Sequence, residues 1–291
     1  EIGSGLVGSE MCIRDRVRVN KKRAQVDTRL ELDDELRIPP IRVSSAKKTE
    51  SPVPMSEADL PILYEDEHIL VVDKPAGLAA HGGSGISFGL IERVRASRPN
   101  QPFLELAHRL DRETSGVMML AKTRKALVRL HEMMRDGEVH KSYKTLVLGD
   151  WVNDRQHVKA KLHKFVTANG ERRVCVDNEK GLPSHTIFQL LERFGDVSYL
   201  AVELKTGRTH QIRVHAQFCG HPLVGDEKYG DFDKNKAIAK GLLGIPFKRM
   251  FLHAYRLSFK HPVTGAALEI TSPLPDECAK LIGYLKSRKE Q

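Results

Sequence analysis

From Pro61 onward the chain keeps returning to short apolar runs, ILVVD at 69–73, YKTLVLG at 143–149 and YLAVELK at 199–205. Runs of this length, rich in β-branched and aromatic residues and bounded by turn formers, are strand signals. Only a few helical stretches lie between them. One is TRKALVRLHEMMRDG at 123–137, where Ala126, Leu127, Leu130, Met133 and Met134 recur at helical spacing and Gly137 suits the C-terminal cap. Many strands with few helices predict an α+β domain built on a mixed, mostly antiparallel sheet.

Composition divides the chain further. Residues 17–43 alternate apolar and charged positions in short bursts, as half-buried strands do, with Lys21, Lys22 and Arg23 in the first connection. Residues 44–60 are rich in Ser, Pro and charge and poor in core formers, so they read as a linker. Residues 61–291 form the main domain. Residues 1–16 carry Gly and Ser without a helical apolar period, and they are expected to be a non-native or artefactual N-terminus. A β-element of about 27 residues is too small to bury a core unaided.

The formal charge is +9 over 291 residues, and the excess is spread along the chain. A broad basic face of that kind favours a polyanion, with RNA a better fit than a membrane. No apolar run approaches the roughly 18 residues of a bilayer span and no secretory signal is evident, so a cytoplasmic location is expected. Cys12, Cys175, Cys219 and Cys278 show no C-x-x-C pairing. They read as reduced thiols rather than as a zinc site or a disulfide framework.

Three segments can carry chemistry. HRLDRETSG at 108–116 sets Asp111 between Arg109 and Arg112, and nearby cations hold a carboxylate in its charged form. Spacing alone leaves both a nucleophile and a surface ion pair open. KSYKTLV at 141–147 puts Tyr143 near the start of a strand, as a packing residue, as a ring that stacks on a base or as a phenol positioned for proton transfer. In KTGRTHQIRVHAQFCGHPLVGDEKYG at 205–230, Thr206 and Thr209 are expected to cap a short helix. Its inward stripe would be Ile212, His215, Ala216 and Cys219, and Gly220 with Pro222 would end it. Arg208 and Arg213 lie near that stripe, and a buried arginine demands an anionic partner.

Other readings are weaker. His210 and His215 are five residues apart and do not share a helix face as a metal-binding pair would, so capping or core hydrogen bonding is expected of them. HGGSGISFG at 81–89 lacks the Lys-Ser/Thr ending of a phosphate loop and matches no dinucleotide fingerprint. It reads as a loop before a helix, with no nucleotide cofactor.

HRLDRETSG, KSYKTLV and TGRTHQIRVH, together with VVDKPAGLAAHGG at 71–83 and FLHAYRL at 251–257, resemble the RluA family of pseudouridine synthases over nearly all of residues 61–285. Residues 17–43 resemble the C-terminal part of an S4-type RNA-binding domain, a truncated one. The resemblance implies an enzyme that isomerises specific uridines in 23S ribosomal RNA of the large subunit, as a monomer without metal or cofactor. It implies Asp111 as the catalytic aspartate, Tyr143 as the residue that stacks on the uracil and assists deprotonation, and Arg213 as the arginine that pairs with the aspartate. It further implies Arg109 as the side chain that fills the space of the flipped base, Leu252 as part of the uracil pocket, and Arg208, Lys21, Lys22 and Arg23 as RNA contacts.

Two rivals remain at this level. A non-catalytic ribosomal RNA-binding or assembly factor fits the charge equally well, but simple RNA binding does not require a carboxylate amid an anion-binding surface, where it repels phosphate. A nucleoside hydrolase would release free uracil. Glycosidases ordinarily use two carboxylates, and the motifs here offer one carboxylate with an arginine.

Overall fold

The computed structural model describes residues 18–20, 22–23, 29, 31–37, 54, 56, 59–83 and 88–290. Residues 1–16, Lys21 and most of the linker segment 44–60 lie outside the described residues. The backbone divides into two compact units, residues 1–51 and 52–291.

In the first unit β1 (Arg18–Val19), β2 (Lys22–Arg23) and β3 (Leu36–Arg37) form a small antiparallel sheet in the order β2–β1–β3. Asn20 adopts a left-handed conformation, with φ of 49°, which its short polar side chain tolerates. Its amide donates to Asp34 and its carbonyl oxygen accepts from the backbone N–H of Glu35.

The second unit is built on one large sheet. In chain order its elements are β4 (Ile62–Glu65), β5 (Ile69–Lys74), α1 (Leu90–Ser97), β6 (Glu105–Leu106), β7 (Ser115–Ala121), α2 (Arg124–Arg135), β8 (His140–Leu148) and β9 (Arg155–Lys159). There follow β10 (Leu162–Val166), β11 (Arg172–Val176), β12 (His185–Arg193), β13 (Val197–Leu204), α3 (Gln211–Phe218), α4 (Phe232–Ala239), β14 (Leu252–Lys260), β15 (Ala267–Thr271) and α5 (Asp276–Lys289). The strand order is β4–β5–β7–β14–β8–β13–β12–β9, with β6 on β7 and β15 on β14, while β10 and β11 form a separate hairpin.

Among the described residues all pairings are antiparallel except β7 with β14, where Ser115 and Gly116 lie opposite His253 and Ala254. The expected mixed, mostly antiparallel α+β architecture is the observed one. The parallel contact explains the glycine of HRLDRETSG. At φ of 111°, a Cβ on Gly116 would lie 2.2 Å from the Ala254 carbonyl oxygen, so only glycine lets the two backbones meet.

Every residue of β7 is buried, because both faces of the sheet are covered. On one face Met118 and Leu120 pack with Leu90 and Val94 of α1 and with Ile212 and Ala216 of α3. On the other, Val117 and Met119 pack with Ala126, Leu130 and Met133 of α2, while α5 covers Leu146 and Tyr199 through Leu281 and Leu285. Each such Leu or Met contributes about 1.5–3 kcal/mol by burial. The helix α2 begins where Thr123 accepts the Ala126 N–H and ends before Gly137, whose φ is 79°.

Among the described residues no helix is long and apolar enough to cross a membrane. Cys175, Cys219 and Cys278 are free thiols.

Candidate active site

Asp111 sits in the loop from β6 to β7, at the first position of a turn closed by the Thr114 N–H on its own carbonyl. The next residue anchors that turn. The Arg112 carbonyl accepts from the Gly77 N–H at 2.9 Å and from Lys74 Nζ at 3.0 Å. Lys74, the last residue of β5, is wholly buried, and its ammonium also donates to the carbonyls of Pro75 and Leu78. Burial lowers its pKa to about 7, against the opposing pull of Glu113. The VVDKPAG segment thus fixes the height of the HRLDRETSG loop over the sheet.

The flanking arginines do not hold Asp111. Arg112 pairs with Glu113 at 2.7 Å, and the exposed Arg109 reaches the His81 ring at 3.4 Å. Neighbours along an extended loop point their side chains apart, so adjacency in sequence does not bring the charges together. The partner comes from α3. Arg213 donates from Nη1 to Asp111 Oδ2 at 3.1 Å, across 102 residues of chain.

Arg213 is itself clamped. Its Nε and Nη2 donate to the two oxygens of Asp226 at 2.7 and 2.8 Å, a bidentate pair with Asp226 completely buried. Asp226 Oδ1 also accepts the backbone N–H groups of Lys228 and Tyr229. Burial opposes the guanidinium charge, but the hydrogen bonds and charge of Asp226, with those of Asp111, push its pKa up. Burial would likewise raise Asp226, and Arg213 overrides it, holding the carboxyl below its usual range. The anionic partner that a buried arginine demands is therefore chiefly Asp226, with Asp111 on the remaining nitrogen.

The helix α3 starts differently from expectation. Its N-cap is His210, in a left-handed conformation with φ of 53° and no side-chain capping bond, and neither Thr206 nor Thr209 caps it. Thr206 instead accepts the His185 N–H and donates to Gln211, while Gln211 Oε1 accepts the Arg208 N–H. Residues 211–216 are all buried, because the helix is inserted between the sheet and the β10–β11 hairpin rather than laid on the surface. His215 is a core residue, bonded to Ser184 and Thr186, with burial lowering its pKa to about 4.

These elements enclose a cavity of about 330 Å³. Asp111, Arg213 and His210 stand on one side. Tyr143 from β8, buried, and Leu252, the first residue of β14, supply aromatic and apolar wall. Burial, reinforced by Asp111, pushes the Tyr143 phenol up, so it stays protonated at neutral pH. Arg109, Arg135, Lys141 and Arg208 line the same cavity and make its surroundings basic. Arg208 is exposed and donates to the Pro183 carbonyl, in contrast to the buried Arg213. Lys22 and Arg23 belong to the first unit, as strand β2.

The sequence motifs thus converge on one cavity, with Asp111, Tyr143, Arg213, Arg109, Arg208 and Leu252 all lining it. Sequence reasoning missed Asp226 and Tyr229, whereas His210, expected to cap the helix or to hydrogen-bond in the core, is the N-cap residue and bonds the Tyr229 hydroxyl. The demand of Arg213 for an anion was the available signal, and GDEKYG holds the nearest acids downstream of the helix. Among the described residues no three His, Cys, Asp or Glu side chains gather in a geometry that could hold a metal.

Residues 68–218 match the family described as RNA pseudouridylate synthase. The chain is 45% identical over 281 residues to ribosomal large subunit pseudouridine synthase C of Pasteurella multocida (strain Pm70), covering 95% of this chain and 84% of that protein. It is 45% identical over 279 residues to the protein of the same name from Escherichia coli (strain K12), covering 95% and 86%. Among solved structures, human RNA pseudouridylate synthase domain containing 4 is similar with a TM-score of 0.63 at 25% identity, over 77% of this chain and 92% of that one. Human RNA pseudouridylate synthase domain containing 1 gives 0.62 at 28%, over 80% and 97%.

Proposed function

Because the chain belongs to the RNA pseudouridylate synthase family, of the RluA type, we propose that its cavity isomerises specific uridines of large-subunit ribosomal RNA, with Asp111 as the reacting carboxylate. The observation that carries this reading is the Asp111–Arg213 bond at 3.1 Å, in a cavity that also holds Tyr143 and Leu252. Arg213 keeps the carboxylate oriented and compensates its charge.

The reaction breaks the bond from C1′ to N1 and joins C1′ to C5. The C5 proton leaves to solvent and N1 takes up a proton, so the atoms balance without an oxidant or a reductant. Asp111 supports this by bonding to C1′, by assisting a glycal route or by adding to the base. Each route needs an ionised, desolvated carboxylate beside the glycosidic bond.

A uridine inside folded RNA must first leave its stack, at a cost of about a few kcal/mol. Stacking on Tyr143 returns about 1–3 kcal/mol. Arg109, exposed at the cavity mouth, fills the vacated position. Leu252 packs against the uracil, and Arg208 takes phosphate at the rim. Residues 17–43, as a partial S4-like unit with Lys21, Lys22 and Arg23, add RNA contacts beyond the 61–291 catalytic domain. The enzyme works as a monomer in the cytoplasm, where its ribosomal substrate is made.

Incubation with a 23S ribosomal RNA transcript carrying uridine tritiated at C5 tests the proposal. Tritium release with pseudouridine in the digested product is expected. Free uracil would instead identify a hydrolase, and binding without either product would identify an RNA-binding factor.

A further inference from the structure

His210 has a geometry that the Asp111–Arg213–Tyr143 set does not explain. It is a non-glycine residue held in the left-handed region at the N-cap of α3, a conformation uncommon outside glycine that recurs at functional sites. Its ring lines the cavity, and Nε2 lies 3.8 Å from Asp111 Oδ1. That distance is beyond hydrogen-bond reach.

The other ring nitrogen is committed. His210 Nδ1 is 2.8 Å from the Tyr229 hydroxyl. The same oxygen accepts the Val174 backbone N–H at 3.0 Å. Tyr229 is buried, and among the described residues no other acceptor lies within reach of its own hydroxyl proton. A buried hydroxyl left without an acceptor is costly. The phenol proton therefore goes to Nδ1, and the imidazole proton must reside on Nε2.

Tyr229 does more than choose the tautomer. Its ring carries the Arg213 guanidinium at 5.0 Å and meets the His210 ring edge-on at 5.4 Å. One side chain thus aligns both groups that flank Asp111. Burial, with Arg213 nearby, lowers the His210 pKa despite the pull of Asp111, so the ring is neutral at neutral pH.

We propose that His210 is a further catalytic residue, which donates its Nε2–H to a carbonyl oxygen of the reacting uracil, and that Tyr229 is the positioning residue that fixes this tautomer. The inference rests on the isomerase reading above. When the bond to N1 breaks, negative charge gathers on the carbonyl oxygens of uracil. A neutral, preoriented donor then strengthens its bond in the transition state without competing with Arg213 for the carboxylate. A hydrogen bond to a charged group corresponds to about 10- to 150-fold in rate.

Two measurements test it. Nitrogen NMR of the free, full-length protein labelled at histidine reads the tautomer directly. Nε2–H with an unprotonated Nδ1 is expected at pH 7.5, with loss of that preference in Tyr229→Phe, and an Nδ1–H tautomer or an imidazolium would overturn the proposal. Single-turnover tritium release from 23S transcript supplies the second. His210→Asn keeps a residue suited to the left-handed backbone but places its amide short of the Nε2 position, so a drop of about 10- to 100-fold is expected with unchanged RNA affinity. His210→Gln, whose amide reaches that position, should recover most of the loss. Equal loss in the two variants, or none in His210→Asn, would overturn the donor role. Absence of tritium release from the wild-type protein would overturn the isomerase reading instead, and the NMR result would still judge the tautomer.

Discussion

Asp226→Asn and Asp111→Asn make the same chemical change at opposite ends of one guanidinium, and their effects on stability should diverge. At Asp226 the amide oxygen can retain the Lys228 and Tyr229 N–H groups, but the amide NH₂ then faces the Arg213 Nε–H, donor against donor. One charge-assisted bond is lost, about 1.5–3 kcal/mol. The charge of a residue only 7% exposed is then left to Asp111 alone. Removing one partner of a buried ion pair typically costs about 3–5 kcal/mol, and that range is expected here.

At Asp111 the side chain is 26% exposed and makes one bond at 3.1 Å, so asparagine there should cost about 1 kcal/mol or less. Urea unfolding at pH 7.5 measures both, as midpoint shifts at a common slope. A total stability of about 5–15 kcal/mol leaves Asp226→Asn folded at low temperature. If Asp226→Asn lay within about 1 kcal/mol of Asp111→Asn, the claim that Asp226 is the principal anchor of Arg213 would be refuted.

The other predictions concern the scaffold. Gly116→Ala should cost about 3 kcal/mol or more, because its Cβ would collide with the β14 backbone in a conformation that alanine resists, whereas Gly137→Ala, open to space, should cost about 1 kcal/mol. Thermal melts of both variants check the contrast, and equal shifts would contradict the close approach of β7 and β14. Burial lowers the pKa of His215 and His253, both fully buried, to about 4 from an ordinary value near 6.5. Between those values the unfolded chain binds more protons than the fold, so stability is full above about 6.5 and falls as pH drops toward 4. Urea midpoints measured from pH 7.5 to 4.5 should decline accordingly, and a flat profile would contradict the buried neutral rings.

The apolar runs at 69–73, 143–149 and 199–205 are legible as strands because each carries enough local signal on its own, and they become β5, β8 and β13. The helix over 124–135 is legible for the same reason, from its apolar spacing and from Gly137 at its end. The surroundings of Asp111 are not. Arg109 and Arg112 are its neighbours in sequence, yet the loop turns them toward His81 and Glu113. Asp226 lies in GDEKYG, a segment without hydrophobic period, and its pairing with Arg213 depends on how the chain returns after α3. His210 reads as a cap because a positive φ on a histidine leaves no trace in composition.

In the proposed reaction a single carboxylate, Asp111, carries the isomerisation. Tritium release from C5-labelled 23S transcript by Asp111→Asn, measured beside its RNA affinity, tests that most directly. No release is expected, with RNA binding largely retained, because the amide preserves shape while removing the charge. Turnover comparable with that of the wild-type protein would contradict it.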